Sequence, residues 1–291
     1  MINLPEIATF TLTRGSLYAF VALGFALVFG AGRVLNLFHG SFFLLGAYAA
    51  FFLTSFAGAQ GRPGEVLGLT IIAGLVVAVM GYLYYRLLLR PFQGRQLQMM
   101  VLGMAANLVV ADAARAFYGT RAAAVPSIIG GSFTVGSVAV LWQEALLVPA
   151  ALLTIGTLYL FLSRTQAGLA IQAVAQDPEA AELVGIVPVQ ALGYTVAVAA
   201  FLAGLAGALA APTRVVGPDM WSFALLVSFA VVVVGGVGSL AGTLIVSYAL
   251  AAVEIITGLL LNTAAAEAVA LAAIVLFLLI RPRGFFDAAT R

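Results

Sequence analysis

The chain has 291 residues, of which 64% are hydrophobic and only 8% are charged, and its net charge is +2. A soluble domain usually carries about 25% charged residues, so this composition excludes a water-soluble fold. All 13 basic residues are Arg, Cys is absent, and His39 is the single His. The missing Lys excludes a phosphate-binding loop and Schiff-base chemistry, and the missing Cys excludes thiolate metal sites. We expect a membrane protein with no catalytic residues, no metal site and no nucleic-acid partner.

Nine apolar segments of the chain are candidates for crossing a bilayer, which takes about 20 helical residues for a core about 30 Å thick. The segments are continuously apolar rather than alternating, which predicts helices and not a barrel. Several are short or meet at a glycine, so eight spans are the alternative. The sequence therefore predicts an all-α, polytopic membrane protein with eight or nine transmembrane helices in one domain, residues 1–291. The nine segments are residues 14–30, 40–57, 66–88, 98–118, 143–162, 189–211, 222–237, 240–260 and 267–281.

The arginines predict the orientation of the chain, because cytoplasmic loops carry an excess of positive charge. With the C-terminal end in the cytoplasm, nine spans place eight arginines inside and five outside, and the N-terminus outside. Eight spans would place the N-terminus inside. The N-terminal residues Met1–Glu6 lack a basic segment and are not typical of a cleaved signal peptide. The cytoplasmic set is Arg33, Arg86, Arg90, Arg95, Arg164, Arg281, Arg283 and Arg291, and the outer set is Arg14, Arg62, Arg115, Arg121 and Arg214.

Two polar connections interrupt the apolar pattern. Residues 119–142 read as an outer loop or a small extended element, and residues 163–188 form the longest polar stretch, predicted to be cytoplasmic. Within the second, Asp177 suits an N-cap, Pro178 suits the first helical position, and Gly185 suits the left-handed position after a helix. Glu179 and Glu182 would lie near the positive end of the helix dipole. The pattern predicts a helix of about two turns, which on these signals alone is either a connector at the membrane interface or a docking element.

The amino-acid sequence of this short helix resembles a known motif. Glu179, Ala180, Ala181 and Gly185 match the E-A-A-x-x-x-G pattern of the EAA loop in bacterial ABC importer permeases. In that family the cytoplasmic helix fits a groove of the ATP-hydrolysing subunit. Nearly the whole chain resembles the LivH-type permeases of branched-chain amino-acid ABC transporters, although Ser41 stands where the family often has Glu. The resemblance is carried by residues 15–48, above all Arg33–Gly40 and Gly46–Tyr48, and by residues 164–186, 201–208 and 235–242.

The resemblance implies an ABC importer permease fold in a multi-pass protein of the bacterial inner membrane. It implies a coupling role for Asp177–Glu182 and Gly185 in the cytoplasmic loop, about 163–188. The implied substrates are branched-chain or other hydrophobic amino acids, with urea, amides or another small polar solute as the alternative. The chain itself would bind no cofactor, since ATP and Mg would be held by its partners. Those partners are a second, LivM-like permease subunit, two ATP-binding subunits and a periplasmic or lipid-anchored substrate-binding protein, within membrane lipid.

Two glycine-broken regions are candidates for the translocation path, because interrupted spans in two halves of a chain often mark one. The first offers Asn36, His39 and Gly40, with Asn36 and His39 as the nearest polar groups. The second offers Gly235, Gly236, Gly238 and Ser239. The alternative for both regions is a tight cytoplasmic turn between two helices of a hairpin.

The few ionisable or polar residues inside the spans predict structural contacts. Asp112 and Arg115 are spaced to pair on one helix face, and Asn107 is placed to bond a neighbouring helix. Glu254 and Glu267 fall near outer ends of spans, where carboxylates reach water. So few intramembrane charges disfavour an ion-coupled carrier. A stand-alone secondary carrier and a non-transporting membrane subunit remain the alternatives, and transport by the isolated chain or unaltered uptake after gene deletion would distinguish them.

Overall fold

The computed structural model describes residues 4–32, 35–59, 62–119, 124–281 and 284–286. Several residues named above lie outside these ranges: Met1, Arg33, Val34, Arg121, Arg283 and Arg291. The side chain of Glu267 is also not described. The helices are α1 (Leu4–Gly32), α2 (His39–Ala57), α3 (Pro63–Tyr84), α4 (Gln96–Tyr118), α5 (Trp142–Ala145), α6 (Leu147–Arg164), α7 (Gln166–Gln176), α8 (Pro178–Leu183), α9 (Pro188–Ala210), α10 (Met220–Gly235), α11 (Leu240–Leu260) and α12 (Thr263–Ile280). The strands are β1 (Ser132–Val135) and β2 (Val138–Leu141).

The apolar helices confirm the all-α, polytopic prediction. Seven helical segments are long and apolar enough to cross a membrane, and α10 and part of α12 are shorter apolar helices. Within the described ranges this makes nine apolar segments, as the hydropathy predicted. The third of them is longer than predicted, since α3 continues through a π-helical turn, Tyr85–Leu89, and a 3₁₀ turn, Arg90–Phe92.

The bundle has a hairpin end, where β1 and β2 lie, and an α8 end, where α8 lies. At the hairpin end, the N–H and Oγ of Ser137 donate to the Glu6 carboxylate at 2.7 and 2.9 Å, fixing the β1–β2 hairpin against the start of α1. At the α8 end, Gly30 near the end of α1 contacts Gly238, and the N–H of Phe285 donates to the Val234 carbonyl at 2.9 Å. The start of α1 and the segment after α12 therefore lie at opposite ends, as an odd number of crossings requires.

The hairpin agrees with the small extended element expected for residues 119–142, whereas the start of α1 differs from the prediction. Residues 119–142 were expected to be a loop or a small extended element, and an antiparallel hairpin forms there, with Ser132 opposite Leu141 and Val135 opposite Val138. Helix α1 begins at Leu4 rather than near residue 14. The bond from the Ser137 N–H satisfies the Glu6 carboxylate, so the polar first turn of α1 is held in the helix against the hairpin.

Helices α1 and α9 form the centre of the bundle. Their most apolar windows are 83% and 78% buried, against 22% for α4 and for the α5–α6 segment. Helix α9 packs on α1, α2 and α3, and α11 packs on α1. The exposed apolar side chains of α4 and α6 are the surface that hydrocarbon would cover, because lipid tails solvate such residues well.

Glycine allows α2 and α9 to approach until their backbones touch. A Cβ placed on Gly46 would lie 2.0 Å from the Gly204 carbonyl oxygen, and one on Gly207 would lie 2.0 Å from that of Phe43. Small residues at helix interfaces are the usual means of such approach in membranes, where no hydrophobic force draws helices together. The small-residue stretch of α9 is therefore a helix–helix interface.

Substituting Gly46→Ala should destabilise the protein, because the added methyl must displace the backbone of α9. We expect a loss of about 1–3 kcal/mol, the usual cost of overpacking a core. Thermal unfolding of the purified protein in detergent measures it. Gly156→Ala in α6 is the matched control, since a Cβ there meets nothing within 4 Å. Equal melting temperatures for the two variants would contradict the packing account.

Candidate functional site

The short helix α8 begins with the cap that its sequence predicts. One Asp177 carboxylate oxygen accepts from the N–H groups of Glu179 and Ala180, both at 3.0 Å. Pro178 occupies the first turn, where a missing N–H costs nothing. The carboxylate thus satisfies two donors that a helix of this length would otherwise leave to water.

The other end of α8 closes with a Schellman motif. Gly185 has a left-handed φ of +85°. Its N–H donates to the Glu182 carbonyl at 3.0 Å, and the Ile186 N–H donates to the Ala181 carbonyl at 3.0 Å. These are the two bonds that define the motif. Both ends of α8 are therefore fixed by local sequence.

Helix α8 has a buried side and an exposed side. Ala181 is 3% exposed and packs with Val174 of α7 and Ala191 of α9. On the exposed side Leu183, the last residue of α8, and Val184, its C-cap, are 90% and 75% exposed. Two adjacent apolar side chains that are exposed at the tip of a polar loop form a surface suited to a partner protein. We call Leu183 and Val184 the α8 tip.

Helix α7 attaches α8 to the bundle, and the sequence indicated it only as part of the long polar stretch 163–188. The Thr165 hydroxyl caps it by accepting from the Gly168 N–H at 3.0 Å. Ile171 and Val174 are each 1% exposed, and α7 packs on α1, α6 and α9. A displacement of α8 would therefore act, through α7, on the two central helices α1 and α9.

The second glycine-broken region is a tight turn between α10 and α11. Gly236 and Gly238 have φ of +100° and +78°, and Ser239 caps α11 by accepting from the Gly242 N–H at 3.0 Å. A Cβ on Gly235 would lie 2.7 Å from the Gly242 carbonyl carbon, so the two helices touch through glycine. This geometry is the hairpin turn that the sequence left as an alternative. A role for these four residues in translocation stays a prediction.

The first region places its polar groups inside the protein. The Asn36 Oδ1 accepts from the Phe38 N–H at 3.2 Å and from the Tyr84 hydroxyl at 3.1 Å. His39 is fully buried, with Nε2 at 2.9 Å from the Val21 carbonyl oxygen of α1. Since a carbonyl only accepts, Nε2 carries the proton. A Cβ on Gly40 would lie 2.2 Å from the Trp221 carbonyl oxygen, so this glycine allows α2 to contact α10.

The end of α1, which precedes the first glycine-broken region, contacts the second region at the α8 end of the bundle, whereas Gly40 lies against Trp221 in the first turn of α10. A Cβ on Gly30 would lie 2.9 Å from the Gly238 Cα. One on Gly32, the last residue of α1, would lie 3.1 Å from Leu192, which follows α8 closely in α9. In this conformation His39 has no exposed surface for a solute to contact.

Two of the predicted structural contacts are confirmed. Arg115 pairs with Asp112 at 2.8 Å and also with Asp219 at 2.5 Å, which joins α4 to the segment before α10. The Ser41 hydroxyl of α2 donates to the Asn107 Oδ1 of α4 at 2.5 Å. Asn107 thus bonds a neighbouring helix, as its depth in the span predicted.

A cluster of charged and aromatic side chains at the hairpin end went unnoticed in the sequence. Glu254 was expected to reach water, and this is wrong: its side chain is 14% exposed and pairs with Arg14 at 2.8 Å. Its second oxygen accepts from the Tyr18 hydroxyl. Arg214 lies over the Phe223 ring, 4.2 Å from its centroid. Burial lowers the pKa of the Arg214 guanidinium, which acts electrostatically on the same residues. The pairing partners are 240 residues apart, so no local signal could have found them.

Comparison with known proteins agrees with this architecture. Residues 7–280 match the family model described as "Branched-chain amino acid transport system / permease component". The chain belongs to this family. It is a transporter subunit and a multi-pass protein of the inner membrane.

Curated relatives cover nearly all of the chain. It is 27% identical to the high-affinity branched-chain amino acid transport system permease protein BraD of Pseudomonas aeruginosa, over 94% of this chain and 92% of that protein. It is 27% identical to LivH of Escherichia coli K12 over the same shares. The probable LivH permease of Methanocaldococcus jannaschii is 27% identical over 80% of this chain and 74% of its own length. No solved structure matches the chain.

Substituting Ser41→Ala should destabilise the bundle, because it leaves the buried Asn107 Oδ1 without its donor. We expect about 1 kcal/mol, measured by thermal unfolding in detergent. The double variant Ser41→Ala with Asn107→Leu should recover part of this loss, since neither polar partner is then left alone. Ser163→Ala, an exposed hydroxyl bonded within its own helix, is the control. Additive effects of the two substitutions would contradict a direct bond.

Proposed function

We propose that this chain is the membrane-spanning subunit of an ATP-driven importer of branched-chain or other hydrophobic amino acids. The observation that carries the proposal is the family match over residues 7–280. The names of the relatives support the substrate class, since BraD and LivH are both described as branched-chain amino acid permeases. Transport would proceed by alternating access, and no covalent chemistry would occur in this chain.

The energy for transport would come from other subunits. The chain has no Lys, so it carries no phosphate-binding loop of the standard type, and ATP and Mg would be bound by two separate ATPase subunits. A second, LivM-like permease subunit would complete the path, either as a heterodimer or with a second copy of this chain in its place. A binding protein would deliver the solute to the hairpin end, which the arginine count assigns to the outside.

Helix α8 would transmit the ATPase motion. Three features support this role: its caps fix its shape, Ala181 anchors it to α7 and α9, and the α8 tip is exposed. Helices this short are rarely stable alone, so such complete capping favours a helix that must present a defined surface. Glu179, Ala180 and Glu182 are also exposed and would contribute the polar rim of the contact.

Reconstitution tests the transport proposal. Proteoliposomes that hold this chain with the second permease, both ATPase subunits and the binding protein should take up L-leucine only when ATP is supplied. Omitting the ATPase subunits or the binding protein should abolish uptake, and omitting the second permease should abolish it unless a second copy of this chain takes its place. Ion-driven uptake by this chain alone would contradict the proposal and favour a secondary carrier. ATP-driven uptake of urea but not of leucine would retain the class and overturn the substrate.

Substituting Leu183→Ser together with Val184→Ser should uncouple the ATPase subunits. We expect co-purification of the ATPase subunit and leucine uptake to fall about tenfold, because interface anchors contribute ~1 kcal/mol or more each. Leu97→Ser is the matched control, since Leu97 is 73% exposed at the same end of the bundle but lies outside the loop. Unchanged co-purification in the double variant would show that the α8 tip is not the contact.

A further inference from the structure

The strongest unassigned feature is the guanidinium of Arg214 at the hairpin end. It lies just after α9 and rests on the Phe223 ring at 4.2 Å. Its residue is partly buried, yet it makes no salt bridge with any carboxylate in the described part of the chain. Glu144 and Glu254 act on it electrostatically without pairing with it. A desolvated cation in this position is well suited to bind an anion that arrives from outside.

Two cavities meet at the same aromatic ring. One has a volume of about 320 Å³ and is lined by Tyr18, Glu254 and Phe223 together with apolar residues of α10, α11 and α12. The other, about 260 Å³, is lined by Arg214, Phe223, Phe43 and two neighbours. The first volume lies in the range of about 300–1,000 Å³ typical of small-molecule sites. Phe223 therefore lines both the cavity that contains the Glu254 carboxylate and the cavity that contains the Arg214 guanidinium.

Glu254 retains capacity to bind a cation from the cavity. One of its oxygens pairs with Arg14 at 2.8 Å, and the other accepts from the Tyr18 hydroxyl. An ionised carboxylate has about four acceptor sites, so two bonds leave room for another donor. Its side chain is 14% exposed and lines the larger cavity. The two contacts hold the carboxylate in place at the cavity wall.

Apart from Ser222, the remaining wall of the larger cavity is aliphatic. Leu226, Val227, Ala230, Leu250 and Ile274 line it, and among these Leu250 and Ala230 are buried. The smaller cavity offers the Arg214 cation, and the larger cavity offers the Glu254 carboxylate and an aliphatic lining. These three features complement the three parts of one class of ligand. That class is a zwitterionic amino acid with a hydrocarbon side chain.

We propose that these cavities form a solute site at the hairpin end, in which Arg214 binds the α-carboxylate, Glu254 binds the α-ammonium, and the aliphatic wall holds the side chain. This inference rests on the proposed function and locates its solute on the chain. The site lies at the opposite end of α10 from the second glycine-broken region, and Phe43 in its wall lies one helical turn from Gly40 of the first region. It would receive the amino acid before the deeper path opens.

Equilibrium binding to the purified complex of this chain with its partner subunits, in nanodiscs and without binding protein, tests the site. The probes are L-leucine, leucinamide, which lacks the negative charge, and 4-methylpentanoate, which lacks the ammonium. The native complex should prefer leucine to both analogues. Arg214→Gln should reduce the preference over leucinamide by about tenfold, the low end for a hydrogen bond between charged groups. Glu254→Gln should reduce only the preference over 4-methylpentanoate.

If Arg214 and Glu254 were merely structural, the two variants would not each lose the preference over a different analogue. Arg214→Lys, which keeps the charge, should retain part of the preference for leucine over leucinamide. Arg62→Gln, which breaks an exposed ion pair in the N-terminal region of α3, is the matched control and should change neither ratio. Unchanged ratios in Arg214→Gln, or no saturable leucine binding by the native complex, would overturn the site. ATP-driven uptake by the same purified complex, reconstituted in proteoliposomes with the binding protein, separates that outcome from failure of the proposed function.

Discussion

The architecture depends on the contact between the backbones of α2 and α9. In a bilayer, helices gain little by burying apolar side chains, so association relies on close packing. Gly46 and Gly207 remove the side chains that would hold the two helices apart, and Gly204 lets α9 approach Val77 of α3. Once α9 lies against α2, its other faces meet α1 and α3, and the apolar helices with large exposed side chains are left to face lipid. The central position of α9 therefore follows from where its small residues lie.

That central position also gives α8 mechanical significance. Helix α9 begins at Pro188, directly after the cap of α8, and the Tyr85 hydroxyl in the π-helical turn donates to the Val189 carbonyl at 2.7 Å. The start of α9 is thus held by α3 on one side and by α7 on another. A π-helical turn is a local irregularity that often accompanies function. A force applied at α8 would enter the bundle through its most buried helices rather than through its lipid-facing ones.

The features that the sequence could predict are those fixed within a few residues. The apolar segments follow from continuous hydropathy, and the two ends of α8 follow from Asp177 and Gly185, whose bonds are local. The contacts that could not be predicted join distant parts of the chain, such as Gly30 with Gly238 and Arg14 with Glu254. Hydropathy also placed Glu254 in water, because it reports depth along a span and not the partner that another helix supplies.

The same distinction explains why the arginine count gave only a modest bias. Of the arginines at the hairpin end, Arg14, Arg62 and Arg115 form salt bridges, and Arg214 lies on Phe223. Each therefore has a structural or binding role that would keep it there whatever the orientation. The arginines at the α8 end within the described residues make no salt bridge and are free to act as topology signals. If the hairpin-end arginines that have such partners are left out of the topology count, the remaining positive charge is concentrated at the α8 end. This strengthens the assignment of the α8 end to the cytoplasm. The set at that end is Arg86, Arg90, Arg95, Arg164 and Arg281.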